Sequence, residues 1–368
     1  MIKINIITCH EVYNYGASLQ EHALLNYLSS LGHEAISLSY KPNYLDTNFN
    51  FFAIDSESKY NKPLLKYIYI LAKIPERIHN LRRKYAFDSF SDKYIKSSQF
   101  QYKTNEELKN NFPIADAFIC GSDQIWNSLV SNGKDPAFYL DFVPDNILKI
   151  SYAASFATEE IDENIKPFVK QKISRLNYVS VRETSGVNIV KSIGIDNVIQ
   201  VLDPVFLLDK DYWVDTFVTK IKDKYILIYD FDSNPEIKKT ALKIAKQNNW
   251  KIYSVNKKVT YEDKNFHKKG PITLLSLIHN AQLIISNSFH AVAFSLIFQK
   301  QFLVFNRDEK INTRMKDLLY LFNLEKYIIS KESDYELLEN IDYDTISKSM
   351  EYHIAKSKLF LQNSLNHN

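Results

Sequence analysis

The sequence predicts an α/β protein made of two successive doubly wound, Rossmann-like halves that face a cleft. Three observations carry that expectation. Short apolar runs with strand character alternate with stretches of helical periodicity along most of the chain, the pattern of parallel sheets. The alternation falls into two series parted by a hinge near 203–222, which predicts an N-terminal α/β domain over 1–205, a C-terminal α/β domain over 206–340 and a closing helix over 341–368. Polar turns bearing glycine, aspartate, arginine or histidine follow directly on the apolar runs, and open α/β sheets bind ligands beyond the carboxyl ends of their strands.

Residues 2–9 read as a buried strand followed by the polar loop HEVYNYGAS. LQEHALLNYLSSLG is an amphipathic helix, with Leu19, Ala23, Leu24, Tyr27 and Leu31 on one face and Gly32 as its stop. EAISLSY is a second strand, closed by Pro42. Residues 43–62 lack periodicity and read as a long loop, and 63–93 as a basic helix. Strands are expected at 115–120, 149–156, 178–181 and 198–202, with helices at 159–174 and 183–193. The second series has strands at 225–230, 251–255, 283–285 and 302–305, with helices at 235–247, 271–280, 312–322 and 343–366. After the strand at 283–285, Phe289, Val292, Ala293, Leu296 and Ile297 recur at helical spacing.

Composition narrows the class. Of 368 residues 45% are hydrophobic and 24% charged, enough for a large core. Lys plus Arg is 46 against 43 acidic residues, a balance that speaks against nucleic acid or an anionic membrane as the main partner. Cys9 and Cys120 close apolar runs and read as small buried hydrophobes. The start, MIKINIITC, alternates like a strand and shows no signal-peptide pattern. The apolar run at 64–74 is short and broken by Lys66 and Lys73. The expected location is the cytoplasm, with docking at the inner membrane face left open. The seven glycines build neither GxGxxG nor a P-loop.

Five stretches carry candidate chemistry. In NYGAS, Asn14, Tyr15 and Gly16 are candidates for holding an anion or a sugar hydroxyl; equally, the stretch is a tight turn with Ser18 as N-cap. In GSDQIWN, Asp123 is a candidate base and Gln124 a hydroxyl ligand, the plain alternative being a cap with Trp126 in the core. Arg182 in SVRE offers a planar donor fork for carboxylate or phosphate, or pairs with an acid such as Glu183. In NSFH, His290 falls in the first turn of a helix at a strand's end, where the helix dipole favours a neutral ring suited to a base. Arg307, Lys310 and Arg314 cluster beyond the next strand, for phosphate or as a solvated basic face.

Together the segments NYGASLQEHALLNYLSSLGHE, FICGSDQIWN, YLDFVPDNILKISYAASF, SVRETSG, VLDPVFLL and NAQLIISNSFHAVAFSLIF resemble, in order and over roughly residues 4–322, the polysaccharide pyruvyl transferases. The resemblance implies a two-domain fold like the GT-B glycosyltransferases. It implies phosphoenolpyruvate as donor and a sugar of a surface glycan, or of its lipid-linked precursor, as acceptor. The product would be a pyruvate ketal bridging two hydroxyls, with phosphate released. His290 matches the family's catalytic histidine and Arg182 an arginine implied in donor binding, with Arg314 as a further candidate. Many members carry an arginine two residues before that histidine, where this chain has Ser288. Arg307 or Arg314 is expected to fill that role at the donor end, beside Ser288. The alternatives are a GT-B glycosyltransferase that uses a nucleotide sugar and a non-catalytic glycan-binding protein. No metal and no cofactor is expected, and the sequence does not set the oligomeric state.

Overall fold

The computed structural model describes residues 1–45, 59–307 and 312–366. Among them two all-parallel sheets organise the chain. The first contains β1 (Lys3–Ile7), β2 (Glu34–Tyr40), β3 (Ser97–Tyr102), β4 (Ala117–Cys120), β5 (Leu148–Ala154), β6 (Tyr178–Val181) and β7 (Val198–Gln200), in the order β3-β2-β1-β4-β5-β6-β7. The second contains β8 (Tyr225–Tyr229), β9 (Lys251–Val255), β10 (Lys264–Asn265), β11 (Leu283–Ser286) and β12 (Phe302–Val304), in the order β10-β9-β8-β11-β12. The central strands read as unbroken apolar runs because helices cover both faces; all five residues of β8 are buried.

The helices are α1 (Tyr15–Ser30), α2 (Pro63–Tyr94), α3 (Asn105–Asn110), α4 (Lys166–Ile173), α5 (Thr184–Ser192), α6 (Lys210–Phe217), α7 (Pro235–Asn248), α8 (Pro271–Asn280), α9 (Phe289–Ile297), α10 (Thr313–Leu321) and α11 (Tyr343–Asn366). Each sheet has one switch point where strand order reverses, between β1 and β4 and between β8 and β11. Connections leave in opposite directions there and open a crevice above the strand ends.

Several elements differ from expectation. Asn14, not Ser18, caps α1: its Oδ1 accepts from the Gly16 and Ala17 amides at 2.9 and 3.4 Å, so the helix starts inside the expected loop. The charged helix expected over 159–174 is shorter, Lys166–Ile173, with Pro167 in its first turn. The short elements β3, α3, α6 and β10 were not anticipated. β3, SSQFQY, is mostly exposed and pairs only with β2, so it lacks the apolar pattern of a buried strand. Most of the loop expected over 43–62 lies outside the described residues.

The apolar core is continuous across the halves. Tyr15 of α1 meets Tyr229 of β8 edge-on at 5.8 Å, and His22 of α1 meets Trp213 of α6 with ring centroids 5.8 Å apart. After the second sheet, α11 returns to the first. Ser357 Oγ accepts from the Leu202 amide at 2.9 Å, and Phe360 packs on Tyr152 with ring centroids 6.4 Å apart. Replacing Ser357 with Ala strands the buried Leu202 amide. We expect a loss of about 1–3 kcal/mol, read in a thermal melt as a drop of several degrees with unchanged circular dichroism.

Candidate active site

Most polar groups of the crevice sit in the loops that follow strand ends, while Asn312 and Arg314 are carried by the start of α10. Asn14 follows β1, Gly121 to Gln124 follow β4, Ser155 follows β5, and Arg182 with Glu183 follows β6. Asp203 follows β7, Phe231 follows β8, Asn287 to His290 follow β11, and Arg307 follows β12. The first five stretches come from one sheet and the last three from the other, so the site exists only where the halves meet.

A cavity of about 110 Å³ lies between them, lined by Asn14, Asp123 and Gln124 from the first half and by Ser288, His290, Arg307 and Arg314 from the second. Phe231, Asn287, Phe289, Asn312 and Met315 complete its wall. Of the residues singled out in the sequence, Tyr15, Gly16 and Arg182 are not on that wall. Tyr15 is buried, its hydroxyl donating to the Lys269 carbonyl at 3.0 Å and its ring under the Arg83 guanidinium. Lys310 lies outside the described residues.

Gly16 acts by being small. A Cβ there would lie 1.8 Å from Nδ1 of His290, so only hydrogen lets α1 and α9 approach this closely. Gly121 is required twice over. Its φ is +123°, and a Cβ would lie 2.1 Å from the Tyr152 carbonyl oxygen. The tight turn that follows puts Asp123 at φ +66°, its Oδ1 accepting from the Gln124 amide at 2.9 Å.

Behind the wall lies a buried charge network that turns on Asp203. Its Oδ2 accepts from Arg182 Nη1 at 2.5 Å and from Ser122 Oγ at 3.3 Å, and lies 3.6 Å from His290 Nε2. Its Oδ1 accepts from the Val205 amide at 3.1 Å, capping the turn at Pro204–Leu207. Burial works to raise the Asp203 carboxyl, but His290 and Arg182 outweigh it and hold it well below the usual carboxylate range. His290 Nε2 is buried with no hydrogen-bond partner among the described residues, and 3.6 Å to the carboxylate is too long for a hydrogen bond.

Two arginines flank the ring of Phe289, with Arg182 at 4.6 Å and Arg314 at 6.0 Å. Both lie 3.8 Å from Asp123 Oδ1. Arg182 is only 5% exposed, yet its Nε and Nη2 have no hydrogen-bond partner among the described residues. Burial works to lower its pKa, and Asp203, Glu183 and Asp123 together raise it. Burial and the nearby Arg182 pull Arg314 down to about 10, which leaves it cationic at neutral pH. The Gln124 amide lies 3.1 and 2.8 Å from Arg314 Nη1 and Nη2, and with its oxygen turned to the guanidinium it accepts from both. Burial also pushes the Glu183 carboxyl up, against Arg182 and a bond from Ser155. Arg307 reaches Asp232 at 3.4 Å and lies over the Phe231 ring.

Sequence reading missed Asp203 and Asn287 as parts of the site and named Glu183 only as an acid for Arg182, from which it lies 3.8 Å. The Asn287 amide donates to Asp230 at 2.8 Å, locking β11 to β8. The available signal was the recurrence of a polar residue just beyond each apolar run.

Two substitutions test this arrangement. Gly16→Ala pushes a methyl into the His290 ring; turnover should fall about 100-fold or more while circular dichroism stays native. Asp203→Asn removes the counter-charge of buried Arg182; at neutral pH we expect a cost of about 3–5 kcal/mol, seen as a lowered Tm. Because Asp203 is held below its unfolded value, its contribution is complete above that value and fades as acid protonates the folded carboxylate. The Tm gap between wild type and Asp203→Asn should therefore narrow as the pH drops below about 4.

Residues 14–309 match the family described as polysaccharide pyruvyl transferase. No curated protein sequence matches the chain. Among solved structures, UDP-GlcNAc 2-epimerase from Neisseria meningitidis bound to UDP-GlcNAc has a TM-score of 0.53 at 11% identity, covering 100% of both chains. S. aureus MnaA with UDP has a TM-score of 0.54 at 13% identity, over 100% of this chain and 97% of that one. An alpha-glucosyltransferase in complex with UDP reaches 0.50 at 8% identity, over 99% and 93%. At such identities the likeness speaks to the fold, which is of the GT-B type. The family match spans most of the sequence, from the cap of α1 past the loop that carries Arg307, and makes this chain an enzyme of transferase type that belongs to the polysaccharide pyruvyl transferase family.

Proposed function

We propose that the enzyme transfers pyruvyl from phosphoenolpyruvate to two hydroxyls of one sugar in a surface glycan or its lipid-linked precursor, forming a ketal and releasing phosphate. The observation that carries this reading is the small interdomain cavity that joins His290 to Arg307 and Arg314. The donor has a carboxylate and a phosphate, and guanidinium forks suit both. The structural neighbours bind UDP or a UDP-sugar, which would motivate a nucleotide-sugar donor here too. A cavity of about 110 Å³ favours the smaller molecule, since sites for drug-sized ligands run to about 300–1,000 Å³.

In this mechanism His290 gives a proton to the methylene carbon of the donor. The π pair becomes the new C–H bond, and the adjacent carbon becomes an oxocarbenium centre. Asp203 supplies the counter-charge for the imidazolium. One sugar hydroxyl adds to that centre and passes its proton to Asp123. The carbon–oxygen bond to phosphate breaks, and phosphate leaves with that proton. The second hydroxyl closes the ketal and returns a proton to His290. Asn14, Gln124 and Ser288 line the cavity; in this mechanism Asn14 and Gln124 would hold the hydroxyls and Ser288 would face the donor. Arg182, behind Phe289, acts as the positive floor of the site rather than as a direct ligand. With arginines supplying the charge, turnover is expected to survive chelation and to need no cofactor.

Thermal shift with phosphoenolpyruvate tests the donor. At about 100 times Kd the wild type should gain about 2.7 kcal/mol, and Arg314→Ala should lose most of that gain. His290→Ala should keep the shift and lose turnover by about 100-fold or more. Stabilisation by UDP with none from phosphoenolpyruvate would overturn the assignment of the donor.

A further inference from the structure

Away from the cleft, α2 leaves an unusual face to solvent. Leu64, Tyr67, Ile68, Leu71, Ile78 and Tyr85 are all exposed, Tyr67 at 67% and Leu71 at 66%. Their steps of three, one, three, seven and seven place them on one stripe of the helix. Solvent-facing aromatic and aliphatic residues normally occur singly, and a stripe of them marks a binding surface. Lys66, Lys73 and Lys84 recur on another face at steps of seven and eleven, while Arg82 falls within the stripe, four residues after Ile78.

The charge of this segment says what covers the stripe. Residues 59–87 contain eight lysines and arginines against the single acid Glu76, although the whole chain nets only +3. Positive charge continues past the helix. A groove of about 740 Å³ beside it is lined by Leu81, Arg82 and Tyr85 of α2 and by Lys258, Lys268 and Lys269 of the second half. A second copy of the chain would bring an equally basic helix to the stripe and be repelled. A surface that is both apolar and anionic satisfies both faces. No helix among the described residues is long and apolar enough to cross a membrane.

We propose that α2 lies in the interface of an anionic lipid membrane, with its apolar stripe among the acyl chains and its lysines at the headgroups. The same helix also touches the segment that leads to the cleft. Arg83 of α2 donates to the Tyr13 carbonyl at 3.1 Å and covers Tyr15, next to the Gly16 that abuts His290. An acceptor held on a lipid would thus arrive on the cleft side; this last step rests on the function proposed above, and the docking itself does not.

The test is co-sedimentation of the full chain with phosphatidylglycerol or phosphatidylcholine vesicles, with no donor present. The forms compared are wild type, Ile68→Ser with Leu71→Ser, and Lys62→Glu with Lys66→Glu. These side chains are exposed, so melting temperatures should stay within a degree or two of wild type. Wild type should bind phosphatidylglycerol at least tenfold better than phosphatidylcholine, and each double variant should lose at least tenfold. Equal binding to both lipids, binding to neither, or full binding by the serine variant would overturn the proposal. So would a lipid-free dimer, seen by sedimentation velocity, that the serine variant dissociates. Vesicle binding is read without turnover, so its failure and a failure of the donor assignment are separate results.

Discussion

The buried carboxylate of Asp203 is the constraint on which the site depends. An isolated carboxylate removed from water is costly, so a protein that buries one must surround it with positive charge and hydrogen-bond donors. Here two donors come from other parts of the chain, Arg182 after β6 and Ser122 after β4, and a third is the local Val205 amide. His290 approaches from the other half. The two sheets must close for that arrangement to exist. The same closure that satisfies Asp203 brings the imidazole against Gly16 and beside the cavity.

The rest of the network follows as alternating charge. Arg182 lies among Asp203, Glu183 and Asp123, and Arg314 answers Asp123 from the second half. The arrangement leaves His290 Nε2, on the cavity wall, buried and with no hydrogen-bond partner among the described residues. Buried polar groups in folded proteins are ordinarily satisfied, so such an atom is expected where a polar substrate completes the set. Positive charge here is fixed before any ligand arrives, which is how a preorganised site stabilises a charged transition state without reorganising.

Net charge hid a regional asymmetry. The balanced total argued against an anionic membrane as the main partner, and that inference holds for the chain as a whole. It does not hold for α2, because solvent and lipid respond to charge within about a Debye length rather than to the sum over the molecule.

Much of the architecture was legible in the residues alone. Apolar runs such as YILIY and the helical spacing after Phe289 are written locally, and both appear as a strand and a helix. So is the rule that polar turns follow strand ends, which is why Asn14, Asp123, Gln124, Ser288, His290, Arg307 and Arg314 were singled out and share one cavity wall. The start of α1 was misjudged because an Asn side chain competes as a cap with a Ser four residues on, and the outcome depends on packing beyond the loop. Exposed β3 carries no apolar pattern at all and exists through its pairing with β2. The central part of Asp203, the retreat of Arg182 behind Phe289 and the contact of Gly16 with His290 belong to the tertiary structure. Those contacts join residues 21 to 274 positions apart, and their energies come from burial and charge pairing, which take values only when the two sheets have met.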